Sequence, residues 1–538
     1  MSSAEQPDLL LLHPPAVLDF RRRDDILFAC LSDGDAVSVS PIFEMHPIGF
    51  HAIAAGLARH GFRTTILNLA TRMLCEPGLD LPGLLRTCRP RLFGVGFQWL
   101  AHAQGVLALC ELLAELHPDI PLVVGGLAAT HLRDELLGRT GISYVLAGLD
   151  PIPGLAALLG RGRLDLALGL RGPGAGDGTL PRIRCYDAEL DWTSVAPEVN
   201  FFLTLSGVGC EYSCGYCGGG RAAAAKHLGV EAGFAPKARP AFLRELASIA
   251  AHPAKRKRVV ALQHWFEDKD LLAAVLPVLE SGDVRTLHLT VHRLLSEEHL
   301  RLLGRSSVRP LLEVTLDSHD PRIRALCGRG EYGERELEAW LDQVFSLVPG
   351  AVVEIYLMLG LPYQTEAGAL AEAGYGRVLL ERHAGRPLDV FLCPMRPFLD
   401  PGSVFHDQPE KFGYRLFYRD LDGYARALTR LHWRDGLNYE TRWLSRERFV
   451  PTCYRAAAAM VEHKVATGRL PTAIAGERLE FLRRTEDLLD RLDGLTPETL
   501  GEKLRREVRT YNDQVFAGHA LRRDGGPGRL YRYWFETR

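Results

Sequence analysis

What this 538-residue chain lacks narrows its class before anything it contains. No apolar run approaches the ~18 residues that a membrane-spanning helix needs. The opening stretch, "MSSAEQPDLLLLHPP", carries no basic n-region, and its four leucines stop at His13-Pro14-Pro15. It does not read as a secretory leader. Net charge is nearly absent too: 64 basic residues against 66 acidic ones leave −2. So neutral a chain is not expected to hold bulk nucleic acid. Its one basic run, "AKRKR" at 254–258, reads as a solvated helix end. The expectation is a cytoplasmic protein with no membrane span and no nucleic-acid partner.

Cysteine is sparse and uneven. Eight of the 11 (Cys30, Cys75, Cys88, Cys110, Cys185, Cys327, Cys393 and Cys453) are scattered and read as small buried hydrophobes. The other three, Cys210, Cys214 and Cys217, fall within eight positions, and Gly218-Gly219-Gly220 follow at once. In a reducing compartment thiols stay free, so a cluster points to metal or catalysis rather than disulfides. A fourth ligand is missing. A structural zinc site needs four protein ligands, and a [4Fe–4S] cluster normally takes four thiolates. No fourth Cys or His lies close by in sequence. Three thiolates around a cubane leave one iron open to a non-protein ligand, and this reading is preferred to zinc or chance. Tyr216 is placed to cover the cluster or a bound nucleobase. The glycines, Gly218 and Gly219 among them, would let a cofactor approach the backbone.

Apolar patterning organises the rest. "DLLLL", "RTTILNL" (63–69), "RLFGVGF" (91–97), "IPLVVGG" (120–126) and "SYVLAG" (143–148) read as strands alternating with helices. That rhythm implies a parallel sheet covered on both faces. Ligands then sit beyond the carboxyl ends of the strands. A Gly/Pro-rich stretch follows, "GRGRLDLALGLRGPGAGDGTLP", which reads as a linker. Strand-helix alternation resumes with "NFFLTLS" (200–206), "VVALQ" (259–263), "TLHLTV" (286–291), "LLEVTL" (311–316), "VVEIYLML" (352–359) and "DVFLC" (389–393). Six such units suggest a partial barrel, whose site again lies at the strands' carboxyl ends. Beyond about residue 410 the pattern is mostly helical. The expected organisation is a Rossmann-like domain over 1–160, a linker over 161–195, a partial (β/α)6 barrel over 196–405 and a helical region over 406–538.

The spacing Cys-x3-Cys-x2-Cys, with an aromatic before the last cysteine, resembles the radical S-adenosylmethionine (SAM) superfamily. The resemblance covers about residues 195–405. It implies that the open iron binds SAM, and that one electron from the cluster cleaves SAM to a 5′-deoxyadenosyl radical. Further segments match in order. Glu267-Asp268 in "LQHWFEDKD" resembles the polar strand end that holds the SAM amino group, against the plainer reading of a helix cap. "LLEVTLDS" resembles the segment at the SAM ribose, with Glu313, Asp317 and Ser318 as candidates. "MLGLPYQT", with Gly360 and Pro362, resembles the motif beside the adenine.

An α/β domain before such a barrel resembles the cobalamin-binding domain of B12-dependent radical SAM enzymes, with a flavodoxin-like fold. The resemblance implies a cobalamin site near Pro14, Gln98, Trp99, Gly125, Gly126 and Gly148. One departure stands out. The Asp-x-His-x-x-Gly motif that supplies an axial histidine in many B12 proteins is absent, and residues 16–44 contain no histidine. His46 and His51 are the nearest, and both read as packing or surface residues.

Together the resemblances imply a cobalamin-dependent radical SAM enzyme with three cofactors: a [4Fe–4S] cluster, SAM and cobalamin. The leading expectation is methyl transfer to an unactivated carbon of a small-molecule or natural-product substrate, with flavodoxin or ferredoxin as electron donor. Ring contraction or ring formation without methyl transfer is the alternative within the class. A cobalamin or redox sensor is the alternative outside it. No catalytic side chain is singled out. The C-terminal helices are expected to cover a substrate pocket between the two domains.

Overall fold

The computed structural model describes residues 6–28, 30–31, 38–39, 47–160, 162–186, 188–194, 201–254, 258–329 and 332–524. His46, most of the 16–44 segment after residue 28, and residue 200 at the start of a predicted strand lie outside them.

The first sheet contains β1 (Leu9–His13), β2 (Thr64–Asn68), β3 (Leu92–Gly96), β4 (Leu122–Gly125), β5 (Tyr144–Leu146) and β6 (Leu170–Arg171). Its order is β2-β1-β3-β4-β5-β6. The first five strands are parallel, in the flavodoxin-like order of a doubly wound sheet. All five residues of β1 and of β3 are buried, as expected for strands covered on both faces. The helix Ala103–Leu116 supplies part of that cover, with Val106, Leu109, Cys110 and Leu113 buried along one stripe. The sixth strand, antiparallel to β5, lies inside the stretch expected to be a linker. It is two residues long between Gly169 and Gly172, both at positive φ, which leaves no periodicity to read.

The second sheet is β7 (Phe201–Leu205), β8 (Arg258–Gln263), β9 (Val284–Val291), β10 (Arg309–Asp317), β11 (Val352–Leu359) and β12 (Leu388–Pro394). These strands neighbour one another in sequence order and run parallel. The result is a partial (β/α)6 barrel. Outward residues such as Val260, Leu287, Leu312 and Val353 join one large core with the surrounding helices. The inward register row is polar: Thr290 faces Glu313, Glu313 faces Glu354, and Glu354 faces Asp389.

The C-terminal region is mostly helical but belongs to both cores. Leu421 and Tyr424, fully buried, join the core of the first domain. Asn512 accepts a hydrogen bond from the Phe28 amide at 2.9 Å and donates to the Ile26 carbonyl at 2.7 Å. The helix Arg446–Ala466 packs on the barrel helix Glu366–Arg382. From it Lys464 reaches the buried Asp389 at 2.8 Å. This region is thus a structural part of both domains. Among the described residues no helix is long and apolar enough to cross a membrane.

Candidate active site

The cysteine loop begins just past β7. It is held by its own turns and by three other segments. The Cys210 amide donates to the Gly233 carbonyl at 2.8 Å, Arg221 N–H to the Tyr212 carbonyl at 2.7 Å, and Cys217 N–H to the Cys214 carbonyl at 3.1 Å. From outside, Gly215 N–H donates to the Cys327 carbonyl at 3.1 Å, and Phe405 N–H to the Gly215 carbonyl at 2.8 Å. Burial raises all three thiols, Cys214 and Cys217 to about 11. Each thiol also feels at least one of the others. An iron cluster would reverse that cost by binding them as thiolates. Among the described residues no three His, Cys, Asp or Glu side chains group as they would around one metal ion. A cubane takes each thiolate on a different iron and does not require that convergence. Cys327, remote in sequence, backs the loop but is itself fully buried in the core.

Backbone strain marks the same rim. Five non-glycine residues among those described have positive φ: His264, Phe266, Glu267, Asp317 and Tyr363. Three follow β8, one ends β10 and one follows β11, all at the carboxyl edge of the barrel. Such conformations cost roughly 1–3 kcal/mol each and gather at functional sites. The turn after β8 aims Glu267 at the cysteine loop, where it accepts from the Tyr212 hydroxyl. Its other oxygen accepts from the His292 amide at 2.6 Å. Asp317 accepts from the Tyr216 hydroxyl at 2.9 Å and pairs with Arg329 at 2.9 Å.

Other residues expected at the site have partners within the protein. Asp268 caps the helix Lys269–Glu280, accepting from Asp270 and Leu271 amides at 2.9 Å. Glu313 stands inside the barrel rather than at its edge, 2.8 Å from His288. Ser318 is fully buried and donates to Glu372. At Gly360, φ is +100° and a Cβ would sit 2.5 Å from the Tyr439 hydroxyl, so C-terminal aromatics crowd it. Pro362 lies in the turn that follows. A Cβ on Gly218 would lie 2.6 Å from the Pro401 carbonyl, whereas one on Gly219 would meet only the Cys217 sulfur, at 3.9 Å. Asp400, which sequence reasoning missed, accepts from the Gly218 amide. It is exposed, yet the protein around it raises its carboxyl to about 6.

At the edge of the first sheet, Pro14 is buried beside His13 while Gln98 and Trp99 are exposed. The Gln98 amide oxygen accepts from Leu127 N–H at 3.3 Å. Gly125 has only ordinary contacts for a Cβ, the nearest at 3.4 Å. Gly126 has φ +129°, and a Cβ there would lie 2.5 Å from the Phe97 carbonyl. The chain's own turn therefore demands this glycine. Gly148 has φ +94°, and a Cβ there would lie 3.3 Å from the Leu180 side chain and 3.8 Å from the Leu228 carbonyl.

Leu228 follows the helix after the cysteine loop, so the two domains approach each other here. His131, at the end of the short helix that follows Gly126, packs on His227 of the helix after the cysteine loop, with ring centroids 5.3 Å apart. Gly402, beyond β12, fits beneath His131, where a Cβ would be 2.6 Å from the ring. The carboxyl edges of the two sheets face each other across these contacts.

Residues 34–153 match the family model described as B12 binding domain. No curated protein matches the sequence. Among solved structures, the chain is similar to the radical S-adenosylmethionine methyltransferase TsrM from Kitasatospora setae. With cobalamin and a [4Fe–4S] cluster bound, TsrM is 14% identical, with a TM-score of 0.54 over 90% of this chain and 100% of that one. With tryptophan substrate and a SAM analogue bound, it is 15% identical, with a TM-score of 0.52 over 77% and 79%. The cobalamin-dependent SAM radical enzyme OxsB, with aqua-cobalamin and SAM bound, is 11% identical, with a TM-score of 0.55 over 96% and 72%. The chain has the fold of the cobalamin-dependent radical SAM enzymes. In that fold, the B12-binding match covers β2 to β5 of its first sheet, and its second sheet is the barrel that carries the cysteine loop.

Proposed function

We propose that the chain is a cobalamin-dependent radical SAM enzyme that transfers a methyl group to an unactivated carbon of a small molecule. The observation that carries this reading is the meeting of the two strand edges at His131, His227 and Gly402. Two α/β sheets each bind ligands beyond their carboxyl edges. Facing edges give those ligands one shared cleft.

Cys210, Cys214 and Cys217 would hold the [4Fe–4S] cluster. Tyr216, Gly218, Gly219, Glu267 and Asp317 border the position for SAM. Pro14, Gln98, Trp99, Gly125, Gly126 and Gly148 border the position for cobalamin. When bound, these groups supply a transferable methyl and one-electron radical chemistry. The protein orients them and keeps water from the reacting atoms. An electron donor such as flavodoxin or ferredoxin would serve it in a reducing, cytoplasmic setting.

The test is anaerobic reconstitution, followed by incubation with methyl-deuterated SAM and host extract. A product heavier by the labelled methyl, with S-adenosylhomocysteine and 5′-deoxyadenosine, is the expected result. 5′-Deoxyadenosine with an unlabelled, rearranged product would replace methyl transfer by ring chemistry. The absence of both SAM products would overturn the enzyme reading.

A further inference from the structure

Arg329 has no place in any motif of the sequence, yet the fold brings it to the cysteine loop. The segment Cys327–Arg329 docks backbone to backbone there. Gly215 N–H donates to the Cys327 carbonyl at 3.1 Å, and Gly328, at φ +74°, lies so close that a Cβ would be 2.6 Å from the Ser213 carbonyl. The Arg329 side chain is then buried, at 8% exposure against 2% for Asp317. All three arms of its guanidinium are engaged. Nε donates to Asp317 at 2.9 Å, Nη2 donates to the Tyr216 hydroxyl at 2.7 Å, and Nη1 meets His292 Nδ1. Tyr216 is the aromatic directly before Cys217, so one of these bonds reaches into the cysteine motif itself.

We infer that Arg329 is a positioning residue that sets the reduction potential of the cluster. The inference rests on the reading that the three cysteines hold a [4Fe–4S] cluster. With its arms occupied by the protein, the guanidinium is fixed and acts through its charge. That charge is brought beside the loop by the bond to Tyr216 and the Gly328–Ser213 approach, and it bears most on Cys214. The acids act singly: Glu211 on Cys210, Asp317 on Cys214 and Asp400 on Cys217. Arg329 is thus a buried cation bonded to the aromatic directly before Cys217. His292 does not add to it: burial and Arg329 hold its pKa down to about 3, so it stays neutral and accepts. On reduction the cluster takes one electron from the external donor and gains one negative charge. A fixed cation beside it favours that reduced state, and in a buried site the effect is only weakly screened.

The test is a redox titration of anaerobically reconstituted protein, monitored by electron paramagnetic resonance of the reduced cluster. Arg329→Gln is expected to bind iron and sulfide as wild type does but to reduce less readily. The equilibrium constant should fall about tenfold, or ~59 mV for this one-electron couple. Arg329→Lys keeps the charge and should stay near wild type. Asp317→Asn should shift the potential in the opposite direction, which a merely structural role would not produce. If Arg329→Gln cannot hold a cluster, Asp317→Asn decides alone. A full cluster with unmoved potential in the measurable variants overturns this role but leaves the cluster reading intact. A wild type that binds no cluster overturns both.

Discussion

The two sheets are both built on parallel strands, with only the short β6 antiparallel, yet they treat polarity differently. In the first, β1 and β3 are buried at every position. In the second, the row Thr290–Glu313–Glu354–Asp389 runs polar across four adjacent strands. An open sheet covered by helices on both faces has no interior to hydrate, so its chemistry is confined to its edge. A curved sheet encloses a lumen, and inward side chains can carry charge if they are paired. Here His288 pairs with Glu313, and Lys464 with Asp389. Polar groups open to a ligand are thus confined to loops in the first domain, and are offered by loops and lumen together in the second.

The largest test of this contrast removes what both sheets share. A chain ending at Pro409 loses Leu421 and Tyr424 from the first core and the helix Arg446–Ala466 from the barrel. Each large apolar side chain contributes roughly 1.5–3 kcal/mol by burial, and Asp389 would be left buried without Lys464. The truncated chain should be insoluble or lack cooperative unfolding. A soluble truncation that melts cooperatively would show that the C-terminal region is a cover after all.

Next in size is the loss of one cofactor with the fold kept. Replacing Cys210, Cys214 and Cys217 by Ala should abolish bound iron and sulfide, since no fourth ligand can rescue the site. Cobalamin uptake and the melting temperature should change little, because the loop is held mainly by backbone bonds. Retention of a complete cluster by the triple variant would refute the assignment.

The lumen gives a pH test. Burial, with Glu313 and Asp389 nearby, raises Glu354 from 4.5 to about 8. A carboxyl raised on folding stabilises the protein below its unfolded pKa, and that contribution is lost as pH rises toward the folded value. The window therefore runs from about pH 4.5 to 8. His288, also raised, works in the same direction, whereas His131, lowered to about 4 by burial, works in the other. The difference between wild type and Glu354→Gln isolates the one group, because Gln copies the neutral acid and can still accept from Tyr356. The two should melt alike near pH 5 and diverge as pH rises, with the variant more stable. Parallel melting curves from pH 5 to 8 would place the charge elsewhere.

How legible was all this in the sequence? The long strands of the two six-stranded sheets were, because buried parallel strands read as continuous apolar runs and the barrel strands as repeated ones. The three-residue hairpin strands at 207–209, 234–236, 414–416 and 439–441 were not. The two-residue β6 was not. The cysteine loop was legible because its ligands are local. Arg329, His292 and Asp400 were not, because they reach the loop from 75 or more positions away, through the barrel's closure rather than through any local pattern. The C-terminal helices were legible as helices, but not their division between two cores. Nothing in an amphipathic stripe says which domain it will meet. Of the two readings of Asp268, the helix cap is the one the structure displays, with Oδ1 on the helix amides.

The smallest expected effect concerns two adjacent glycines at the edge of the first sheet. The sequence makes Gly125 and Gly126 look alike, as places where a cofactor could approach the backbone. The structure separates them. Gly126 has φ +129°, and its missing Cβ would lie 2.5 Å from the Phe97 carbonyl, a backbone atom that cannot swing aside. Gly126→Ala should therefore cost roughly 1–3 kcal/mol from strain alone, with no cofactor present. At Gly125 the nearest atom to a Cβ is 3.4 Å away, so Gly125→Ala should leave the melting temperature of the cofactor-free protein nearly unchanged. Only a large side chain there tests the cofactor: Gly125→Trp should block cobalamin uptake while iron content stays at the wild-type level. Calorimetry of the two Ala variants and a cobalamin absorbance assay of the Trp variant check this. If Gly125→Trp binds cobalamin normally, the ring does not lie against this edge, and the first sheet's site must be sought at another loop.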